Sequence, residues 1–135
     1  MSRRDAVFPA TRHDLYRQHR YSPAIRSGGF LFVSGQVGSR LDGTPEPDFA
    51  AQVRLAFDNL AAVLAAAGCG FDDLVDVTTF HTDPQRQLEL VQDVRMQVLG
   101  EPPYPNWTAI GVNWLAGFDF EIKVVARIPE PDLAG

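Results

Sequence analysis

The sequence predicts an α/β protein of the α+β type, in which a single mixed β-sheet carries two helices on one of its faces. Three observations indicate this fold class: two helical stretches with one apolar stripe each, strand-like runs between and after them, and a glycine-bounded apolar run near the N-terminus. The resulting order of elements is β-α-β-α-β-β, with room for a further short strand in residues 1–20. Because each helix has only one apolar side, both can cover the same face of one sheet.

The composition is that of a single globular domain. The chain has 135 residues, a net charge of −5 and one cysteine, which excludes an intrachain disulfide and a cysteine-based zinc site. Its 12 Lys and Arg residues are scattered, which argues against a nucleic-acid partner. No stretch approaches the roughly 18 apolar residues of a membrane span, and the N-terminus lacks the apolar core of a signal peptide. We therefore expect a cytoplasmic protein with neither a nucleic-acid nor a membrane partner.

The first strand of the domain follows a polar N-terminal arm. Residues 1–20 are rich in arginine, and we interpret them as an arm that precedes a single domain over residues 21–135. The apolar run at residues 30–33 is typical of a strand that is buried on both faces. Ser34 and Gly35 interrupt this run. A glycine inside a strand pattern indicates a β-bulge or the close approach of another backbone or a ligand.

The first helix is predicted over residues 48–67. Asp48 is placed to cap its N-terminus, and Gly68 stands just beyond its C-terminus. The apolar residues recur at steps of three and four, so one face of the helix is buried. That face comprises Phe49, Val53, Phe57, Leu60, Val63 or Leu64, and Ala67.

A strand and a second helix follow in the next third of the chain. The strand is predicted over residues 73–82, where β-branched and aromatic residues predominate. Asp83 then caps a helix that has Pro84 in its first turn, and Gly100 ends it.

Two strand-like runs close the chain, with a hairpin-like break at Ala116-Gly117 between them. They are WTAIGVNWL and FDFEIKVVARI. The second alternates, so that one side carries Phe118, Phe120, Ile122 and Val124 and the other carries Asp119, Glu121, Lys123 and Val125. Apolar residues such as Ile110, Val124 and Val125 are too many to remain in water. We therefore expect an oligomer that buries the uncovered face of the sheet.

Generic signatures of catalysis are few in this sequence. The three histidines have no partners at metal-ligand spacing, so no metal site is predicted. Ser34 lies in no nucleophile elbow, and contact with a ligand is a simpler role for it than nucleophilic attack. Glu121 stands inside an apolar strand and admits two readings. It lies on a solvated face or pairs with Lys123, or it is a general acid/base or water-holding group in a cleft.

Four stretches of the sequence together resemble one family. They are YSPAIRSGGFLFVSGQVG, AAQVRLAFDNLAAVLAAAGCGFDDLVDVTTFHTD, GEPPYPNWTAIGV and FEIKVVA, and they follow the order and spacing of the Rid superfamily (YjgF, or endoribonuclease L-PSP-like) over residues 20–128. The resemblance implies a chorismate-mutase-like fold and a barrel-like homotrimer with a ligand cleft at each subunit interface. In the deaminase branch of the superfamily, reactive 2-imino acids or their enamines are hydrolysed to 2-keto acids and ammonia. The reaction uses neither a metal nor an organic cofactor.

The resemblance also assigns roles to individual residues. Tyr21 matches the family's cleft tyrosine, although the glycine that usually precedes it is replaced by Arg20. The Ser-Gly pair of the family matches Ser34 and Gly35. The cleft glutamate, which holds the attacking water, matches Glu121.

The sequence departs from the family pattern at the deaminase signature. Pro-Ala-Arg-Ser-(Thr or Cys) falls on residues 105–109, so that Trp107 stands in the position of the arginine, followed by Thr108 and Ala109. An arginine binds a carboxylate through two charge-assisted hydrogen bonds, whereas indole offers one N–H and no charge. The chain thus resembles a branch lacking the deaminase arginine, and we expect its 2-iminopropanoate deaminase activity to be weak or absent. Arg20 or Arg26 could supply the missing charge.

Three readings of Trp107 follow: a core residue that points away from the cleft, a wall that stacks on a planar ligand, or a plug that fills the cleft.

The predicted function is hydrolysis or deamination of a small imine, enamine or related carbonyl-type metabolite. Glu121 would be the catalytic residue, and the ligand-binding residues would be Tyr21, Ser34, Gly35, Trp107, Thr108 and Ala109. The alternative is a trimer that binds such a metabolite without turnover. A ribonuclease, claimed for some relatives, is disfavoured by the net charge of −5.

Overall fold

A computed structural model describes residues 3–130 of the chain. It contains six strands and three α-helices, of which two are long. In chain order they are β1 (Asp5–Val7), α1 (Leu15–His19), β2 (Ala24–Ser27), β3 (Phe30–Val37), α2 (Phe49–Ala66), β4 (Leu74–His81), α3 (Pro84–Val98), β5 (Asn106–Gly111) and β6 (Phe120–Arg127). The predicted mixed sheet with two long helices is therefore confirmed.

The sheet has the strand order β1-β2-β3-β6-β4-β5. β4 and β5 are parallel and are connected through α3, and the other neighbouring pairs are antiparallel. The sequence prediction of a hairpin-like break at Ala116-Gly117 is wrong, because β5 and β6 do not pair. The crossover through α3 places β5 on the outer side of β4, so β6 pairs with β3 and β4 in the middle of the sheet.

The core lies between the sheet and the two long helices. α2 packs on β3 and β6, and α3 packs on β4. Asp48 caps α2 as predicted, since its side chain accepts a hydrogen bond of 3.0 Å from the backbone N–H of Ala51. Asp83 precedes α3 but makes no such bond with its side chain. The helix-covered side of β6 carries Phe120, Ile122, Val124 and Ala126, all of which are buried.

By length and composition α2 also meets the requirements of a membrane span. It has 18 residues with a mean hydropathy of 1.3, contrary to the expectation that no stretch would come near this limit. Its packing is that of a core helix, because Val53, Phe57, Leu60 and Leu64 are buried against the sheet. A hydrophobic core helix of a globular protein can have the same length and apolar composition as a membrane span.

The N-terminal arm is part of the folded structure. β1 pairs with β2, and the phenol of Tyr16 on α1 is buried and donates a hydrogen bond of 3.0 Å to Oε1 of Gln36 on β3. The arm therefore adds a strand and a short helix where the sequence indicated no strong element. Residues 1–2 of the predicted arm and 131–135 of the predicted domain lie outside the described residues.

The sheet face opposite the helices retains apolar side chains. Phe32 is 49% exposed and Ile110 is 40% exposed, and Val125 pairs with Phe32 on the same side. Val124 belongs to the covered side and is only 1% exposed, so it does not contribute to the open face. The remaining apolar surface is consistent with the expected burial of this face in an oligomer.

Replacement of Leu60 by alanine tests the packing of α2. Leu60→Ala should lower the free energy of unfolding by about 2–5 kcal/mol, because the residue is fully buried and its truncation leaves a cavity. Leu41→Ala is the matched control, since Leu41 is 64% exposed and its loss should change stability by less than about 0.5 kcal/mol. Urea unfolding followed by circular dichroism measures both. Equal effects of the two substitutions would contradict the placement of α2 against the sheet.

Candidate functional site

Three of the residues singled out in the sequence lie together. Tyr21, Gly35 and Glu121 line one pocket of about 290 Å³. Leu15 of α1 and Phe118, which precedes β6, contribute apolar parts of its wall. We call this cavity the Glu121 pocket.

A β-bulge in β3 shapes the Glu121 pocket. The register between β3 and β6 shifts between Val33 and Gln36, so Ser34 and Gly35 have no register partners on β6. A Cβ atom on residue 35 would overlap the side-chain carboxyl group of Glu121. The glycine thus allows the backbone of β3 to approach the carboxylate more closely than any other residue would.

Ser34 serves the neighbouring backbone in this structure. Its hydroxyl donates a hydrogen bond of 2.7 Å to the carbonyl oxygen of Ser22, and its N–H donates to the carbonyl oxygen of Pro23 at 2.9 Å. These bonds fasten β3 to the segment that directly follows Tyr21. A contact between Ser34 and a ligand remains a prediction.

Glu121 carries a half-buried carboxylate with an unusual environment. Burial raises its pKa above the ordinary value, and Lys123 opposes this with a smaller effect. Among residues 3–130, no side chain forms a salt bridge with Glu121 and none donates a hydrogen bond to its carboxyl group. Lys123 is thus near enough to lower the pKa of Glu121 but forms no salt bridge with it. The group is instead suited to accept a proton or to hold water inside the pocket.

The phenol of Tyr21 complements this carboxylate. Burial raises its pKa to about 12, with smaller contributions from Tyr16 and Glu121. The group therefore keeps its proton at neutral pH and can donate a hydrogen bond to a ligand. The pocket thus contains a proton donor, Tyr21, and a potential base, Glu121, and His19 also lines it.

Trp107 lies on the other face of the sheet. It is in register with Val77 on β4, and Val77 is in register with Val124 on β6, so the three residues share the helix-covered side. Glu121 is in register with Phe80, three positions after Val77 and therefore on the opposite side. The cleft that the sequence predicts lies between subunits, and within a single chain Trp107 and Glu121 are not brought together.

Two contacts hold the Trp107 side chain on the covered side. Its Nε1–H donates a hydrogen bond of 3.1 Å to Oγ1 of Thr79, and the Arg95 guanidinium of α3 lies 4.3 Å from the ring centroid. Thr79 Oγ1 is also 2.8 Å from Nε2 of His81, a fully buried residue whose pKa is lowered by burial. Within one chain, these are the contacts of a residue at the margin of the core.

Thr108 and Ala109 follow on β5, the edge strand of the described sheet. Both are exposed, and β5 is separated from β6 by the whole width of β4. Their predicted contacts with a ligand at Glu121 therefore require a second copy of the chain.

The arm contributes pocket residues that sequence reasoning missed. Leu15, Gln18 and His19 of α1 all line the Glu121 pocket. The available signal was the pair Leu15 and Tyr16, two large apolar side chains inside a polar segment. In the described part of the chain, no group of three His, Cys, Asp or Glu side chains is placed to hold a metal ion.

Glu121→Gln tests the desolvation of the carboxylate. A raised pKa means that the folded protein binds this proton more tightly than the unfolded chain, so the stabilisation is complete below the unfolded pKa and is lost as pH rises through the folded pKa. Glu121→Gln should therefore raise the melting temperature at pH 7. The difference in melting temperature between the variant and the parent should shrink as pH falls from the folded pKa of Glu121 to its unfolded pKa. Differential scanning calorimetry between pH 4 and 8 measures this, with the exposed Glu89→Gln as control. A variant less stable than the parent at pH 7 would contradict the expected sign.

Comparison with known proteins places this geometry in a family. The sequence profile of the family described as Endoribonuclease L-PSP matches residues 11–128. The RutC family protein YjgH of Escherichia coli (strain K12) is 72% identical over 130 residues, which cover 96% of this chain and 99% of that protein. A solved structure of protein YJGH aligns with a TM-score of 0.92 over 96% of this chain and 100% of that chain, at 72% identity.

Two more distant relatives carry functional information. The structure of E. coli TdcF with bound serine aligns with a TM-score of 0.72 at 27% identity, over 79% of this chain and 87% of that chain. A 2-iminobutanoate/2-iminopropanoate deaminase of Dermatophagoides farinae is 29% identical over 94 residues, which cover 68% of this chain and 72% of that protein. The matched profile spans every element from α1 to β6, and with the 72% identity to YjgH it shows that the chain belongs to the Rid (YjgF/L-PSP) superfamily.

Proposed function

We propose that this protein is a hydrolase of the Rid type that converts a small imine or enamine to the corresponding carbonyl compound and ammonia. The observation that carries the proposal is the Glu121 pocket, where a carboxylate with a raised pKa lies beside a protonated phenol and receives no hydrogen bond from residues 3–130. Membership of a family with 2-iminobutanoate/2-iminopropanoate deaminases supports this reaction class.

The proposed reaction needs one base and one donor. The carboxylate of Glu121 accepts a proton from water as the water oxygen bonds to the imine carbon. The first proton passes to the nitrogen and gives a carbinolamine. Glu121 then takes the hydroxyl proton of this intermediate and delivers it to the amine, so that the C–N bond breaks as the C=O bond forms and ammonia leaves. Tyr21 donates its O–H to the substrate and orients it. A pKa raised by burial makes Glu121 a stronger base near neutral pH than an exposed carboxylate.

We further propose that the active form is a homotrimer in which neighbouring copies complete each cleft. The opposite placement of Trp107 and Glu121 in one chain supports this, because only a second chain can bring the β5 edge to the Glu121 pocket. The apolar side chains on the open sheet face support it as well, since Phe32 and Ile110 are otherwise exposed. Thr108 and Ala109 would then contribute from the partner.

The second candidate function is binding of a small metabolite without turnover. It is favoured by the β5 edge, where Ala109 offers no side-chain donor and the Trp107 N–H is already bonded to Thr79. Such a cleft would have fewer groups that stabilise a developing charge than an enzyme requires.

Glu121→Gln is the direct test of hydrolysis. In a panel of freshly generated imines, the variant should lose on the order of 10²–10⁴-fold in kcat/KM, because the general base is removed. Gly35→Ala should also reduce the rate, since the new methyl group would displace the carboxylate. Gly70→Ala is its matched control, because a Cβ there meets no atom within 4 Å. Full activity of Glu121→Gln would overturn the proposal, and thermal stabilisation by an imine analogue without any product would favour the binding protein.

2-Iminopropanoate itself should be turned over only at a rate near background. Trp107 offers no positive charge to the carboxylate of 2-iminopropanoate, and the single N–H of its indole already donates a hydrogen bond to Thr79. Trp107→Arg should increase the rate if β5 keeps its geometry, whereas Trp107→Phe, which removes the same hydrogen bond without adding charge, should not. Coupled assays of keto-acid release compare the three proteins. Rates for the parent that equal those of the Dermatophagoides farinae deaminase would refute this prediction.

A further inference from the structure

A second and larger cavity adjoins the Glu121 pocket at Tyr21. It has a volume of about 800 Å³, and Tyr21 lines both cavities. Three arginines, Arg12, Arg17 and Arg20, contribute to its wall. We call it the arginine pocket, and we propose that it binds the oxyanion group, carboxylate or phosphate, of a ligand whose reacting end lies in the Glu121 pocket. The assignment of the reacting end rests on the proposed function, whereas anion binding does not.

The charges in the arginine pocket are unbalanced. Its single carboxylate, Asp14, is already bound by Arg17 through two hydrogen bonds of 2.8 and 2.6 Å. No acidic side chain within the described ranges forms a salt bridge with Arg12 or Arg20. His13 adds no charge near neutral pH, because burial lowers its pKa. Two guanidinium groups therefore remain to receive an anion.

Arg12 is held in place by an aromatic ring. Its guanidinium carbon lies over the Phe8 ring, 4.5 Å from the ring centroid, in a cation–π contact. This contact does not use up the five N–H donors of the guanidinium, which can still bind an oxyanion. The loss of side-chain freedom on ligand binding is thereby reduced.

Arg20 occupies a backbone position that favours glycine. Its φ is 57° and its ψ is 56°, the left-handed conformation, which is sterically unfavourable for a residue with a Cβ. The conformation ends α1, and the N–H of Arg20 donates to the carbonyl oxygen of Tyr16. An arginine at a site where glycine would avoid this cost indicates that the side chain contributes something else. Its position directly before Tyr21 places the charge beside the residue shared by both cavities.

The geometry also defines the ligand. Two separate cavities that share the Tyr21 ring suit a molecule whose anionic group is several bonds away from its imine carbon. In 2-iminopropanoate the carboxylate is bonded directly to that carbon. An arginine pocket separate from the Glu121 pocket would therefore select a longer anionic imine and would make a cation at position 107 unnecessary. Arg26, the other arginine considered from the sequence, instead forms a salt bridge with Asp5.

Unreactive anions test the arginine pocket separately from catalysis. Isothermal titration with inorganic phosphate and with glutarate, a dicarboxylate without an imine, should show binding to the parent that weakens as salt is raised. The double variant Arg12→Gln, Arg20→Gln should bind the better probe at least ten-fold more weakly. Arg54→Gln on the exposed side of α2 is the matched control and should bind like the parent. The stronger of the two probes distinguishes a phosphate ligand from a carboxylate ligand.

Arg20→Gly separates a loss of anion binding from a loss of folding. Glycine suits the left-handed backbone, so this variant should lose affinity for the probe while its melting temperature stays within a few degrees of the parent. Failure of the parent to bind either probe, or undiminished affinity in the double variant, would overturn the inference. Neither result depends on turnover. Conversely, probe binding that survives in Glu121→Gln, together with an absence of imine hydrolysis by the parent, would reject the proposed function and retain the anion site.

Discussion

The candidate site depends on the close approach of the Gly35 backbone to the carboxylate of Glu121. A Cβ at position 35 would occupy the space of that carboxyl group, so only glycine permits the two strands to adopt this arrangement. Glu121 cannot turn away, because its neighbours Phe120 and Ile122 are fully buried on the other side of a central strand. The resulting desolvation raises the pKa of Glu121 and makes its carboxylate a stronger base than that of an exposed glutamate.

The position of β5 at the sheet edge separates the site into two halves. Trp107 faces the helices and is fixed by Thr79 and Arg95, whereas Glu121 faces the open side two strands away. In the trimer that we propose, the stability of the interface and the composition of the cleft are consequently linked. Substitutions on β5 would affect both assembly and ligand binding, which is why the controls on Trp107 vary charge and hydrogen bonding separately.

The arm connects the folding of the N-terminus to the site. α1 is only five residues long and would not be stable alone, but Tyr16 is buried and bonded to Gln36, and its ring lies 5.0 Å from that of Tyr21. These contacts order the arginines of the arm around one side of Tyr21. The arm is thus a structural part of the ligand-binding region in addition to being an edge of the sheet.

Local patterns in the chain specify most elements of the domain: the stripe and Asp48 cap of α2, the β-branched residues of β4 and the alternation along β6. They did not predict α1, which depends on the burial of Tyr16. The four family-like stretches determined the superfamily and singled out Tyr21, Gly35 and Glu121. The folded structure was needed to show that β6 inserts between β3 and β4, that Trp107 and Glu121 face opposite sides, and that α1 lines the pocket. These features depend on strand order and on contacts between distant residues, such as Tyr16 with Gln36 and Trp107 with Thr79, which no periodicity in the chain encodes.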